Sequence, residues 1–279
     1  MQVQYDHKVM SSFRLFLDHR IANSGQAYFN ATGQFYPSTS NRQGVYSYAC
    51  PYRSLVKDSS VAGATVMTGV YLNGVFVTPG TSGLQEINHY RGTLDFTGQL
   101  PANTRITGSF SVKEINVELT TKLEDELIFE TKFFPRPKYG QSLTGLPFDG
   151  YSVPSVFLKK KSATVQPFSI GGTDLSVINV RAVVIADSEY ILDAVGSILK
   201  DTYYRRFESI TSLPFSARGG YTGTTYSYTG IVSGEHSRTG PIIQGVNEAR
   251  VIAGGAEDSL KNKLYASFID FKITQTRDH

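Results

Sequence analysis

Cys50 is the one cysteine in this 279-residue chain, and Pro51 follows it directly. A thiol nucleophile needs a base within reach, and none of the five histidines (His7, His19, His89, His236, His279) stands at a recognisable catalytic offset from it. The histidines are scattered singly, unlike the paired spacing of metal ligands. Asp18 and His19 are adjacent in a helical pattern, and helix neighbours one apart do not face each other. Glu124-Asp125-Glu126 could supply acid–base groups, but paired acids must converge across a cleft and sequence neighbours point apart, so the run reads as a solvated turn. Lys159-Lys160-Lys161 could meet phosphates and reads instead as a solvated hairpin turn. Arg205-Arg206, after Tyr203-Tyr204, suits the negative end of a helix without any ligand. No GxGxxG follows a strand, and GxSxG does not occur. The expectation is a chain with no catalytic residues, no cofactor and no metal, hence not an enzyme.

The elements that would position these residues are mostly strands. Residues 67–119 form the clearest module. Val70, Leu72, Val75 and Val77 supply apolar strand positions around Asn73-Gly74, the strongest short-range hairpin signal, because both central residues of a type I′ turn need positive φ. Residues 93–97 alternate with period two, and 105–119 alternate again. Ile106, Phe110, Val112, Ile115, Val117 and Leu119 are the expected core contacts there, with a phase slip between Val112 and Ile115 that suggests a bulge. Upstream, Phe13, Phe16, Leu17 and Ile21 mark one face of a helix over 11–23. Residues 26–44 are polar and turn-rich yet carry Tyr28, Phe29, Phe35 and Tyr36, so they are expected to lie against a surface. Asn30-Ala31-Thr32 matches a glycosylation sequon without a secretion signal beside it.

Downstream, 127–134 reads as a strand. Residues 135–154 hold four prolines and three glycines and mark the candidate junction between modules 1–134 and 135–279. Residues 175–186 are the most continuous apolar strand, and Arg181 within it must sit at an end of the buried face or be paired. Asp187 is the expected N-cap of a helix over 187–205 whose Ile191, Leu192, Val195, Ile198 and Leu199 would dock on a sheet. Residues 219–230 read as a loop or an edge strand with a tyrosine ladder. Two strands, 242–253 and 264–273, close the chain, the last with a slip of one between Phe268 and Ile269. The fold class predicted is mainly β with a few helices: a β-sandwich-like N-terminal module carrying a helix, then a β-rich α+β module.

Composition narrows the function classes. Charged residues are 18%, against about a quarter in typical soluble chains, while Tyr and Phe are seventeen each. Such a charge-poor, aromatic-rich chain suits a protein that lives in contact with others. A net charge of +3 and a pI near 8.8 are too mild to argue specific nucleic-acid binding. A lone cysteine excludes an internal disulfide framework. No run of 18 apolar residues predicts a membrane span, and the first residues lack a signal-peptide pattern.

The module also carries a resemblance. Val70, Leu72, Asn73 and Gly74, then Gly92, Leu94 and Phe96, then Gly108, Phe110 and Val112 resemble a hairpin-and-strand pattern of tailed-bacteriophage virion proteins. Through FRLFLDHRIANSGQAYFN and VRAVVIADSEYILDAVGSILKD, the whole chain is similar to structural proteins of marine and cyanobacterial phages. The resemblance implies a repeated neck, head-to-tail connector or tail component, made in the host bacterial cytoplasm and found in the virion. It would form a homo-oligomeric ring such as a hexamer or dodecamer, held to other virion proteins. The alternative is a carbohydrate- or host-receptor-binding β-module with tyrosines as stacking platforms. Tyr28, Phe29, Phe35, Tyr36, Tyr221, Tyr226 and Tyr228 are the candidate interface residues, because dense aromatics in segments too polar to build a core favour contact with a partner.

Overall fold

The computed structural model describes residues 5–38, 44–133, 151–168, 172–215, 222, 225–232, 240–251 and 264–278. In chain order the elements are α1 (Tyr5–Ser24), β1 (Tyr28–Pro37), β2 (Tyr46–Ala49), β3 (Val70–Leu72), β4 (Val75–Val77), β5 (Leu84–Asn88), β6 (Thr93–Phe96), β7 (Ile106–Lys113), β8 (Asn116–Leu119) and α2 (Glu124–Phe133). They continue with β9 (Ser155–Pro167), β10 (Thr173–Ala186), α3 (Glu189–Lys200), α4 (Tyr228–Val232), β11 (Ile242–Val251) and β12 (Tyr265–Asp278). The fold is mainly β, with two sheets and four helices among the described residues.

The first sheet has seven strands in the order β4-β3-β7-β1-β2-β6-β5. Asn73 (φ 49°) and Gly74 (φ 88°) form the tight turn between β3 and β4, as their sequence requires. The turn-rich stretch 26–44 turns out to contain β1, an interior strand paired antiparallel with β7 from Tyr28↔Lys113 to Phe35↔Ile106. Cross-strand pairing overrides the weak local propensity of its Asn, Gly and Gln. Its core gathers Phe35, Tyr48, Leu94, Phe96, Phe110 and Val112, with Phe110 wholly buried.

The second sheet runs β11-β12-β10-β9-β8. β10 and β12 pair along fourteen residues without a register shift, so the expected slip at Phe268 and Ile269 does not occur. Both faces of β12 are covered instead. Phe268 packs with α2's Leu127 on one side, while Ile269, Phe271 and Ile273 meet α1 and α3 on the other. Apolar residues at successive positions mark a strand buried on both faces. Lys159, Lys160 and Lys161 lie inside β9 and make no turn; the register irregularity opposite Asn179 and Val180 accommodates the extra residue. α2 replaces the solvated turn and strand expected at 124–134: the three acids fill its first turn, where the helix dipole favours negative charge. Ser188, not Asp187, caps α3, its Oγ accepting from Ile191 N at 3.3 Å.

The phase slip at 112–115 is a crossing rather than a bulge. β7 ends at Lys113 in the first sheet, and β8 starts at Asn116 in the second, parallel to β9. α1 likewise precedes the first sheet but packs on the second. Thirteen of its twenty residues are buried, and Phe13 touches Phe271 and Phe207 at ring distances of 5.2 and 5.3 Å. The core around the second sheet therefore draws on both sides of residue 134.

Candidate functional site

The buried charged or titratable residues Arg14, Asp18, His19, Lys57 and Asp58 gather along the seam between the two sheets. α1 sends Phe13 and Leu17 into the second core, while Arg14, Asp18 and His19 reach segments of the first module. Asp18 and His19, adjacent in sequence, take separate partners. Asp18 accepts from Lys113 Nζ of β7 at 2.7 and 2.5 Å. His19 Nδ1 donates to Asp58 Oδ2 at 2.7 Å; a carboxylate can only accept, so Nδ1 carries the proton.

Asp58 is a four-donor hub. Besides His19, its Oδ1 accepts from Ser60 N at 2.9 Å, Ser60 Oγ at 2.6 Å and Tyr228 N at 2.9 Å. Burial alone would push this carboxyl up; the donors outweigh it and hold Asp58 below its ordinary value. Tyr228 is 6% exposed, stacks on the His19 ring at 4.6 Å, and has its own hydroxyl pushed up by burial. Neighbouring backbone bonds, Ser59 N to Tyr226 O at 2.7 Å and Tyr226 N to Lys57 O at 3.1 Å, complete a strap of 225–232 across the loop at 57–60.

A second cluster lines a small cleft beside it. Arg14, Ser54, Lys57, Tyr90, Lys113, Asn116 and Glu118 surround about 20 Å³, roughly the room one water needs. Arg14 Nε donates to Val117 O at 2.9 Å, and Lys57 Nζ to Thr222 O at 2.5 Å. Burial, then the positive charges of Lys113 and Arg14, push the Lys57 ammonium down to about 8 despite the opposing Glu86 and Asp18.

The residues singled out by chemistry in the sequence do not converge. Cys50 is buried, donates to Tyr52 O at 3.1 Å and is pushed up to about 11 by burial, so it is a neutral thiol near pH 7. Glu124 sits between Lys159 and Arg181, each at 3.5 Å. Arg181 pairs in a two-pronged fork with Asp270, both contacts at 2.7 Å. Among the described residues no three His, Cys, Asp or Glu side chains come together as a metal would require. His236 and His279 lie outside the described residues.

The seven aromatic candidates divide. Phe35 and Tyr228 are inside the chain's own cores. Phe29 packs edge-on against Tyr52 at 5.7 Å, Tyr28 donates to Ala62 O, and Tyr226 is half-buried. Tyr36 is half exposed, and Tyr221 lies outside the described residues. The larger exposed apolar cluster is one that sequence reasoning missed. On the β3–β4 hairpin, at an edge of the first sheet, Tyr71, Val75 and Phe76 are 45%, 68% and 49% exposed, with the Tyr71 and Phe76 rings 5.2 Å apart. Tyr71 and Phe76 pair across the hairpin on one face and Val75 stands on the other; the hairpin was legible in the sequence, but not which face the core takes. Tyr203 and Tyr204 form another outward pair, rings 4.4 Å apart, with Tyr204 at φ 57°. In the sequence Asp58-Ser59-Ser60 shows only a turn, with no sign of the hub.

No protein-family model and no curated protein matches the sequence.

Proposed function

We propose that this chain is a structural protein of a bacteriophage virion, a neck, head-to-tail connector or tail component that assembles as a ring through protein–protein contacts. In this reading it does no covalent chemistry. The observation that carries it is the β3–β4 hairpin: among the described residues β4 lies at an edge of the first sheet, and the hairpin holds Tyr71, Val75 and Phe76 out in water. An apolar edge strand is a template for association, and monomers normally blunt such edges. The hairpin contains the first part of the motif that resembles phage virion proteins, with Val70 buried beneath it and Tyr71, Val75 and Phe76 exposed around it. The central strands of the second sheet, β12, β10 and β9, supply the stiff body a ring subunit needs.

The test is mass photometry of the purified chain beside a Tyr71→Ser/Phe76→Ser double variant. A discrete ring mass for the parent and monomers of unchanged melting temperature for the variant are expected. A parent that stays monomeric at micromolar concentration, or a variant that assembles equally well, overturns the reading. The exposed Tyr203–Tyr204 pair favours a second reading, a carbohydrate- or receptor-binding module. Glycan binding lost on changing that pair to Ser, in a chain that stays monomeric, would select it.

A further inference from the structure

We infer that Asn73-Gly74, the turn between β3 and β4, is a self-modification site, at which Asn73 loses its side-chain nitrogen and becomes aspartate or isoaspartate. Asn73 is the one asparagine in the chain that a glycine follows. That order matters because the nucleophile is the backbone nitrogen of the next residue, and a side chain there crowds its approach. A Cβ placed on Gly74 would meet nothing within 4 Å, so the neighbours leave this nitrogen open as well. Both residues are exposed, and water can carry protons to and from them and hydrolyse the product. A two-residue turn closes its hydrogen bond between the flanking residues, here Leu72 and Val75, so the turn does not use the Gly74 N–H.

The residue before β7 prepares the electrophile. Asn73 N donates to Arg105 O at 2.9 Å, and Arg105 N donates to Asn73 Oδ1 at 2.8 Å. The side-chain carbonyl thus stands in for a backbone one and carries the β3–β7 ladder one rung past Leu72↔Ile106. A backbone N–H aimed at that oxygen polarises the carbonyl and stabilises the oxyanion that forms as Cγ becomes tetrahedral. The step balances without another reagent. Gly74 N bonds to Asn73 Cγ, the Cγ–Nδ2 bond breaks, and ammonia leaves with the proton that Gly74 gives up. Water then opens the cyclic imide: at Cγ it yields aspartate, at the backbone carbonyl isoaspartate. Aspartate keeps the backbone path and adds a negative charge to the tip. Isoaspartate routes the main chain through Cβ and Cγ, and a tight turn with both φ values positive does not accommodate the extra atom. Conversion therefore retires the hairpin that presents Tyr71 and Phe76. The inference rests on the geometry of the turn, not on what the hairpin contacts.

Incubation of the whole chain at mildly alkaline pH, folded and in guanidinium chloride, tests it. The peptide that holds Asn73 is followed by mass spectrometry, with electron-transfer fragmentation to tell isoaspartate from aspartate. The Tyr71→Ser/Phe76→Ser variant is carried beside the parent, so that a hairpin buried between copies is not mistaken for an inert one. Conversion in the folded variant is expected to be at least as fast as in the unfolded chain, because unfolding takes the Arg105 donor away from Oδ1. Gly74→Ala should suppress it. An Asn73 that stays intact in the folded Tyr71→Ser/Phe76→Ser chain, that converts more slowly there than in guanidinium chloride, or that converts equally fast with alanine at position 74 overturns the inference.

Discussion

Replacing Asp58 by Ala should cost about 4 kcal/mol, and the figure can be worked from its contacts. The carboxylate is 3% exposed and receives four donors. Ser60 is half-buried, so water can take over its two donors. His19 and the Tyr228 amide are buried, and each orphaned donor costs about 1–3 kcal/mol. The two orphaned donors together come to about 4 kcal/mol. Against a total stability of about 5–15 kcal/mol, the variant would be close to unfolding. Asp58→Asn should lose only about 1–2 kcal/mol, because Oδ1 still accepts from Ser60 and Tyr228 and His19 can shift its proton to Nε2. Urea unfolding of both variants, with His19→Ala and the double variant closing a cycle, measures the coupling. The acid limb gives an independent reading. Asp58 titrates below its ordinary 3.8 when folded, so its contribution is whole above 3.8 and drains as the pH falls through the lower folded value. Asp58→Asn should flatten that limb. A loss under about 1 kcal/mol in Asp58→Ala, or no coupling to His19, would refute the hub.

Two further expectations follow from backbone and packing. A Cβ at Gly92 (φ 65°) would lie 2.0 Å from Tyr52 O, whereas one at Gly74 (φ 88°) meets nothing within 4 Å. Gly92→Ala should therefore cost about 3 kcal/mol, strain plus clash, and Gly74→Val about 1–2, strain alone; equal losses in thermal unfolding would contradict this. A fragment beginning at residue 135 should fail to fold. It lacks α1 and β8, whose Phe13, Leu15, Leu17 and Val117 are buried in the core on the second sheet; cooperative unfolding of that fragment by circular dichroism would count against the shared core.

What the sequence made legible is what local pattern controls. Asn73-Gly74 dictates its turn, and the alternation of Ile106, Phe110 and Val112 dictates β7, because positive φ and a period of two are properties of a few neighbouring residues. The misreadings share a cause in tertiary context. The slip after Val112 looked like a bulge because a change of sheet and a bulge both reset the phase. The apparent slip at Ile269 was a strand covered on both sides. Residues 26–44 read as loop because β1 owes its conformation to β7 and β2 rather than to its own composition. Residues 124–133 read as turn and strand although the acids sit where a helix dipole rewards them. The seam was invisible: Arg14, Lys57, Asp58 and Lys113 each look like surface residues until the fold removes their water.

That seam explains why the two sheets do not behave as beads on a string. The chain passes between them at least twice, from α1 into β1 and from β7 into β8, and these passages combine apolar contacts (Ala22, Val56, Val61; Ile115) with buried charged pairs. An apolar seam would bind more strongly but would slide, since hydrophobic contact is non-directional. Buried charges add little net stability, yet they penalise every arrangement in which a partner is missing. Asp18 must find Lys113, and His19, one residue on, must find Asp58; rotating α1 by a single residue breaks both at once. Lys57 sharpens the constraint. Its ammonium is held near 8 instead of 10.5, so at neutral pH the charged group costs the fold about 3 kcal/mol. The chain accepts that cost at a joint whose buried partners permit only one setting of α1 against the loop at 57–60.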